Sequence, residues 1–458
     1  MTTNDGEVLA SINPANGEVV GEVVVTAIST LPEVVGRARK AQSLWSKLSI
    51  QERAHQILEA EAALGARLDE LARLASEEMG KPLRSARGEA ALVAKSLRSH
   101  VDEAVAALEE ETMERKGIRT TVVRDPMGVT VCITPWNFPI LMPHQQLIPS
   151  LVAGNAVLFK PSEETPLTGA CYAEVLQAVL PEGLLHVIHG DETQGKALVA
   201  SDVDLIVFTG SREAGKHILA VASRDLKRVI LELGGKDPLL VLESADVEKA
   251  AQFAVTNSFR NSGQVCVSTE RIYVHESVHD AFLEHLCDGA ARLTVGDPSL
   301  ETTDLGPMVH ERQKTLVLQQ VGDALGEGAR VAWQGEEGSG SFLSPIVLDQ
   351  VTHEMRIARR ETFGPVACVI AVASDEEALR LANDTRFGLG AVVFGEAGSA
   401  QKIGRRLQAG MVGINQGLKS AGSTPWVGAR ESGYGFHSGP EGHRQFTQVR
   451  VIHESLQG

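Results

Sequence analysis

One thiol in this chain stands among small and polar residues, in Asn261-Ser262-Gly263-Gln264-Val265-Cys266, where a nucleophile has the access that an apolar run denies it. Upstream, Glu232-Leu233-Gly234-Gly235-Lys236-Asp237-Pro238 sets a carboxylate one residue ahead of two glycines that let backbone approach closely. The chemistry these stretches suggest is a cysteine nucleophile sharing a site with a glutamate general base. In Pro135-Trp136-Asn137-Phe138-Pro139, two prolines fix an amide donor suited to an oxyanion; the bland alternative is a turn that packs two aromatics. Glu361-Thr362-Phe363-Gly364-Pro365 holds a carboxylate two residues from an aromatic, fit to grip a ribose and brace a flat ring, and equally fit to be a loop.

No GxGxxG fingerprint is present. Gly433-Tyr434-Gly435-Phe436-His437-Ser438-Gly439 has the wrong last spacing and no strand before it, and reads as a turn. A better nucleotide candidate is Val207-Phe208-Thr209-Gly210-Ser211, running into a helix with Gly215 in its first turns. Such a strand end offers unpaired N–H groups and a positive dipole end to a pyrophosphate; an ordinary strand-to-helix turn is the equal alternative. Lys160-Pro161-Ser162-Glu163 closes another strand at the end where ligands of open α/β sheets bind. Glu163 there suits ribose hydroxyls and would repel a 2′-phosphate, favouring NAD over NADP, unless the pair is simply solvated.

A metal reading has one foothold. His275-Glu276-Ser277-Val278-His279 fits HExxH, with His285 where an extended motif has its third ligand. Ser277, however, reads as the N-cap of a helix Val278–Leu293, which leaves His275 on the preceding strand. Phe282 occupies the place of the turn-forming glycine and carries the helix on, swinging His285 about 240° round from His279. No metal is expected.

The elements that must position these groups follow from periodicity. Strands near residues 8–25 precede helices over Leu31–Leu48, Ile50–Met79 and Arg84–Glu114, and Gly117–Arg124 alternates like an exposed strand, a protruding arm. From Gly128, strands Val129–Thr134, Ala156–Lys160, Leu184–His189 and Leu205–Thr209 alternate with helices Leu167–Leu180, Thr193–Val199 and Ala214–Ala222, the pattern of a mostly parallel, doubly wound sheet. A second series follows Glu232: strands Pro238–Leu242, Arg271–Val274, Ala367–Val372 and Gly390–Phe394, with helices Val247–Ser258, Val278–Leu293, Asp375–Asn383 and Ala400–Leu407. Gly335–Gly340 reads as a surface loop. The expected fold is therefore two doubly wound α/β domains, a Rossmann-like cofactor domain and a catalytic domain, plus a small β arm.

Composition narrows the partners. Lys and Arg total 43 against 59 Asp and Glu, a net charge of −16, which disfavours nucleic acid and anionic membrane. The longest apolar stretch, Leu147–Phe159, is too short and interrupted to span a bilayer. The polar start lacks signal-peptide character, and five cysteines without CxxC spacing fit free thiols in a reducing compartment, so a cytoplasmic location is expected.

Taken together, PWNFP, KPSE, FTGS, ELGGKDP, NSGQVC, ETFGP and Asn383-Asp384-Thr385, in this order from about Ser11 to Gln448, resemble the aldehyde dehydrogenase superfamily. The resemblance implies oxidation of a small-molecule aldehyde to its acid through a cysteine thiohemiacetal and thioester, with hydride transfer to NAD, NADP being the alternative. It makes Cys266 the nucleophile, Glu232 the base and Asn137 with the Cys266 N–H the oxyanion hole. Lys160 and Glu163 would hold the adenosine ribose, Gly210, Ser211 and Gly215 the pyrophosphate, and Trp136, Glu361 and Phe363 the nicotinamide end. It also divides the chain into a dinucleotide-binding domain (1–112 and 128–233), a catalytic domain (234–426) and an oligomerisation arm (113–127 and 427–458) that makes a homodimer or homotetramer. The family's Pro-Phe-Gly-Gly-x-Lys-x-Ser-Gly tail is here Pro425-Trp426-Val427-Gly428-Ala429-Arg430-Glu431-Ser432-Gly433, a departure that would reshape the substrate mouth. The carboxylate-binding arginine of succinate-semialdehyde members would fall near Gln145, which favours a neutral substrate. The rival functional classes are a catalytically silent relative serving as a binding protein, against which the intact Cys266, Glu232 and Asn137 argue, and a zinc hydrolase.

Overall fold

The computed structural model describes residues 6–336, 338–419 and 423–456. Two open sheets dominate it. The first has the order Gly433–Tyr434, Arg228–Glu232, Leu205–Thr209, Val129–Ile133, Ala156–Lys160, Leu185–Val187, with every pair parallel except the first. Its central strands are buried on both faces, which explains why they read as continuous apolar runs. Helices Leu31–Trp45, Leu83–Leu108 and Leu141–Val152 contribute Trp45, Val93, Leu97, Leu147 and Leu151 to the same core.

The second sheet has the order Arg330–Gln334, Ile346–Asp349, Val366–Val372, Thr269–His275, Asp237–Val241, Gly390–Phe394, Met411–Ile414, with its own cores on either face. A three-stranded antiparallel arm, Thr447–Ser455, Ile118–Pro126 and Glu111–Arg115, stands apart from both.

Several expected elements differ. The helix Arg84–Glu114 stops at Leu108, because Glu109 turns extended (ψ 148) and Glu111–Arg115 pairs with Ile118–Val122; strand pairing overrides helix-forming side chains. The span Ile50–Met79 is three helices, Ile50–Leu58, Ala60–Ala66 and Leu68–Met79, the last break falling at Arg67, which leaves helical geometry (ψ 11) and bonds Glu70 and Glu174. Helix Leu141–Val152 was not expected, since it is buried almost all round and carries Pro143 and Pro149, so it shows no amphipathic period. Helix Ala397–Gly404 begins before the expected Ala400 because Glu396 accepts from the N–H groups of Gly398 and Ser399. The stretch Gly433–Gly439 is not a simple turn: Gly433–Tyr434 joins the first sheet and Phe436–His437 pairs with Trp426–Val427. The loop expected at Gly335–Gly340 includes Glu337, which lies outside the described residues, and its described part carries no strand or helix.

Behind helix Leu141–Val152 runs a seam of neutral histidines. His144 sits between Ser96 Oγ (3.4 Å) and the Tyr172 hydroxyl (2.9 Å), with the His100 ring 4.8 Å away and His443 5.2 Å beyond that. Burial pushes His144 down to about 3 and, with the nearby His443, His437 down to about 4. A histidine whose folded pKa lies below its unfolded one gives stability that is complete above about pH 6.5 and is lost as pH falls from there toward the folded value. The thermal midpoint should therefore drop by several degrees between pH 7 and pH 5, and His144→Gln should flatten part of that slope; an unchanged midpoint in scanning calorimetry would contradict this.

Candidate active site

Glu232 ends a strand of the first sheet and Asp237 opens a strand of the second, so the link Leu233–Lys236 carries the chain from one sheet to the other. A side chain on Gly235 would lie 2.7 Å from the Cys266 carbonyl oxygen, which makes glycine the residue that lets the two stretches meet. Cys266 follows a turn in which Asn261 (φ 53), Ser262 (φ 56) and Gly263 (φ 72) are all left-handed. That uncommon geometry is held by Ser262 Oγ donating to Gly306 O (2.7 Å) and by Val309 N donating to Gln264 Oε1 (2.9 Å).

The Glu232 carboxyl is buried. Desolvation pushes it up to about 7, opposed by the indole N–H of Trp426 and by the Cys266 thiol. Trp426 Nε1 donates to Glu232 Oε1 at 3.1 Å, while Oε2 is buried with no well-formed hydrogen bond. The Cys266 thiol is raised well above its ordinary range by burial and then by the charge of Glu232. A thiol whose ionisation the neighbouring carboxylate disfavours, and which as a neutral donor favours that carboxylate, is thus placed beside it.

Asn137 comes to the same place. Its Nδ2 donates to Gln264 O at 3.0 Å, which leaves its second amide hydrogen for the cleft. Its carbonyl accepts from Lys81 Nζ at 2.8 Å, and Lys81 also pairs with Glu89, whose carboxylate accepts from the N–H groups of Ile140 (3.0 Å) and Leu141 (2.9 Å). A buried ion pair therefore pins the Asn137 loop. A second one pins the opposite loop: Glu270 accepts from Lys236 Nζ (2.5 Å) and from the N–H groups of Thr362 and Phe363 (2.8 Å each), holding Phe363 at φ 53.

One cleft of about 1150 Å³ is lined by Trp136, Asn137, Gly210, Ser211, Glu232, Cys266, Glu361 and Phe363. Trp136 and Phe363 meet edge to face, with centroids 5.6 Å apart. Glu361, half-buried, is pushed up to about 8 by desolvation and then by the Glu270 charge, with the Gly235 N–H (3.1 Å) opposing. Ser211 caps helix Arg212–Ala222 by accepting from Ala214 N (3.3 Å).

The structure does not bring Gly215 to this cleft. A Cβ there would lie 2.5 Å from the Leu233 side chain, so Gly215 serves the close packing of the helix on the link. Lys160 and Glu163 also lie outside its lining, paired at 3.4 Å at the end of Ala156–Lys160, which neighbours the strand leading to Trp136. The C-terminal ends of three adjacent parallel strands, with a capped helix N-terminus at Ser211, fit a dinucleotide laid across them.

Ser277 is not an N-cap: the His275 ring accepts from Ser277 N (3.2 Å) and the helix begins at His279. Both nitrogens of His279 face carboxylates, Asp280 and Asp349, at 2.9 Å. Sequence reasoning also missed Lys81, Glu89 and Glu270, since nothing in their neighbourhoods distinguishes a buried charge from a solvated one; the contact of Trp426 had a trace only in the altered tail.

The chain belongs to the aldehyde dehydrogenase family, whose model matches residues 1–452. It is 37% identical over 455 residues to 3,6-anhydro-alpha-L-galactose dehydrogenase of Streptomyces coelicolor, covering 97% of this chain and 92% of that protein. It is 33% identical over 459 residues to the NADP(+) succinate-semialdehyde dehydrogenase GabD of Escherichia coli K12, covering 99% and 95%. Among solved structures, an NAD-dependent aldehyde dehydrogenase from Sinorhizobium meliloti superimposes with a TM-score of 0.96 at 33% identity, covering 100% of this chain and 93% of that one. The protein is an NAD(P)-dependent oxidoreductase that converts an aldehyde to its acid.

The bracing role of Glu270 is testable. Glu270→Gln leaves Lys236 buried without a counter-charge, held only by neutral acceptors such as Thr362 Oγ1, so the free energy of unfolding should fall by about 3 kcal/mol, with a raised KM for the cofactor as the Phe363 loop loosens; denaturant titration and initial rates check both.

Proposed function

We propose that Cys266, Glu232 and Asn137 carry the reaction in this chain. The observation that supports this most is the half-buried thiol and the buried carboxyl beside the link between the two sheets, with Asn137 on the same cleft. Cys266, as the thiolate that each turnover returns, attacks the aldehyde carbon, and the developing oxyanion takes hydrogen bonds from the Asn137 amide and the Cys266 N–H. A bound nicotinamide supplies the hydride acceptor. Glu232 then takes a proton from water as the water attacks the thioester. Glu361 and Phe363 would hold the nicotinamide riboside, Trp136 would back Phe363, and Gly210 and Ser211 would take the pyrophosphate. Lys160 and Glu163 would take the adenosine ribose, the Glu163 carboxylate favouring NAD over NADP.

Gln145 lines the cleft, accepting from Ser438 Oγ (2.7 Å), where a carboxylate-binding arginine was the alternative, and this supports a neutral aldehyde. The division into a dinucleotide-binding domain, a catalytic domain and an arm is proposed on the separate cores of the two sheets. Exposed Met113, Ile118, Val449, Val451 and Ile452 on the arm support self-association as a dimer or tetramer. No helix among the described residues is long and apolar enough to cross a membrane; the cysteines are free, and we place the protein in the cytoplasm.

The catalytic assignment rests on two variants. Cys266→Ala should abolish turnover, whereas Glu232→Gln, which also removes the charge that raises the thiol, should give a single burst of NADH and then stall. Because Glu232 must be ionised to act, kcat should fall as pH drops through about 7. Absorbance at 340 nm with propanal, benzaldehyde, lactaldehyde and succinate semialdehyde, each with NAD and NADP, reads all three; steady turnover by Cys266→Ala would sink the assignment. Separately, Val449→Lys with Val451→Lys should shift the light-scattering mass to that of one chain.

A further inference from the structure

Glu232 is held from a direction that the reaction itself does not require. Trp426 lies in a two-residue strand paired with Phe436–His437, and the chain then passes through the short 3-10 turn Arg430–Ser432 to reach Gly433–Tyr434, which pairs with Leu231 and Glu232 themselves. Leu233 N donates to Ser432 O at 2.9 Å, closing the same loop. The segment carrying the indole is thus laced to the strand that ends in the carboxylate, which fixes the 3.1 Å contact from Nε1 to Oε1 by backbone register. Oε2 is left buried and free of well-formed hydrogen bonds. Phenylalanine, the residue of the family pattern at this place, would wall the cleft as well but offers no N–H.

We propose that Trp426 is a positioning residue for thioester hydrolysis: its indole N–H holds Glu232 Oε1 so that Oε2 alone faces the acyl sulfur as proton acceptor. This rests on Glu232 acting as the base. In the step, the water O–H bond breaks, its proton goes to Oε2, the water oxygen bonds the acyl carbon, and the carbon–sulfur bond breaks to return Cys266 as thiolate. A donor to a carboxylate favours its ionised form, so the same contact keeps a desolvated base usable near neutrality. The other charged or titratable groups lining the cleft around this carboxyl are Cys266 and the exposed Arg260 from the nucleophile turn, Glu361 from the opposite loop, Asp237 at the next strand, and His437 on the strand paired with Trp426. Of these only the Cys266 thiol also favours the carboxylate by a hydrogen bond, and by less than the indole does, so the indole is the group whose removal should move the acid limb most.

The chain has four tryptophans, so indole-15N labelling of the full-length enzyme gives four N–H signals, and Trp426→Phe assigns the one in question. That signal should shift with pH between 6 and 8 and cease to do so in Glu232→Gln. With propanal and NAD, Trp426→Phe should keep the NADH burst and hold KM within about twofold. Its kcat should fall about tenfold, the rate equivalent of losing a hydrogen bond to a charged group, and the acid limb of kcat should move up by about one pH unit. A Trp426 signal indifferent to pH and to Glu232→Gln overturns the proposal, as does a Trp426→Phe enzyme with an unmoved acid limb, or one that loses its burst and raises KM as a mere wall residue would. If Glu232→Gln turns over steadily, the base assignment itself has failed; if it stalls after one burst while Trp426→Phe behaves as wild type, only this inference falls.

Discussion

Removing one carboxyl from water and setting it against one thiol is the constraint on which the rest of this molecule depends. An isolated buried carboxylate is costly, and Glu232 is tolerated because its proton affinity rises to about 7 and one oxygen receives an indole N–H. The same burial raises Cys266, so neither group ionises freely while the other is charged. What would be a defect in a packing core is a usable arrangement in an enzyme, since each group responds to what the other is doing.

Holding that pair requires rigidity on both sides. Two buried ion pairs supply it: Lys81 with Glu89 under the Asn137 loop, and Lys236 with Glu270 under the Phe363 loop. Each also takes up backbone N–H groups that would otherwise be orphaned by the turns they brace. The backbone outliers of the site, Asn261, Ser262 and Phe363, lie next to these braces, in keeping with strain being carried where surrounding structure over-determines it. Gly235 and Gly263 then allow the approach: a Cβ on Gly263 would lie 2.1 Å from the Gly364 oxygen.

Much of this was legible in the sequence, for reasons that differ by residue. The strands Ala156–Lys160, Leu205–Thr209 and Gly390–Phe394 have the expected bounds because short apolar runs buried on both faces have few other places to go. Cys266 stood out because its stretch is small and polar, and Glu232 because two glycines follow it closely. Helix Leu141–Val152 was hidden because total burial erases the amphipathic period and prolines mask the rest. The arm strand Glu111–Arg115 was hidden because Glu, Met and Arg favour helix until a partner strand is present. Gly215 lies against Leu233 and outside the cleft lining, because a glycine early in a helix looks the same in sequence whether it admits a phosphate or a leucine. Glu270 and Glu89 look like surface charges, and only the fold reveals that they are interior.

The central claim is that the protonation of one buried carboxyl decides how long the acyl group stays on the cysteine. Mass spectrometry of enzyme quenched during steady turnover, with peptide mapping of the segment around Cys266, measures this directly. The account predicts an acyl mass on Cys266 whose occupancy climbs as pH is lowered through about 7. An occupancy that does not change with pH, or an acyl group found on any other cysteine, would contradict it.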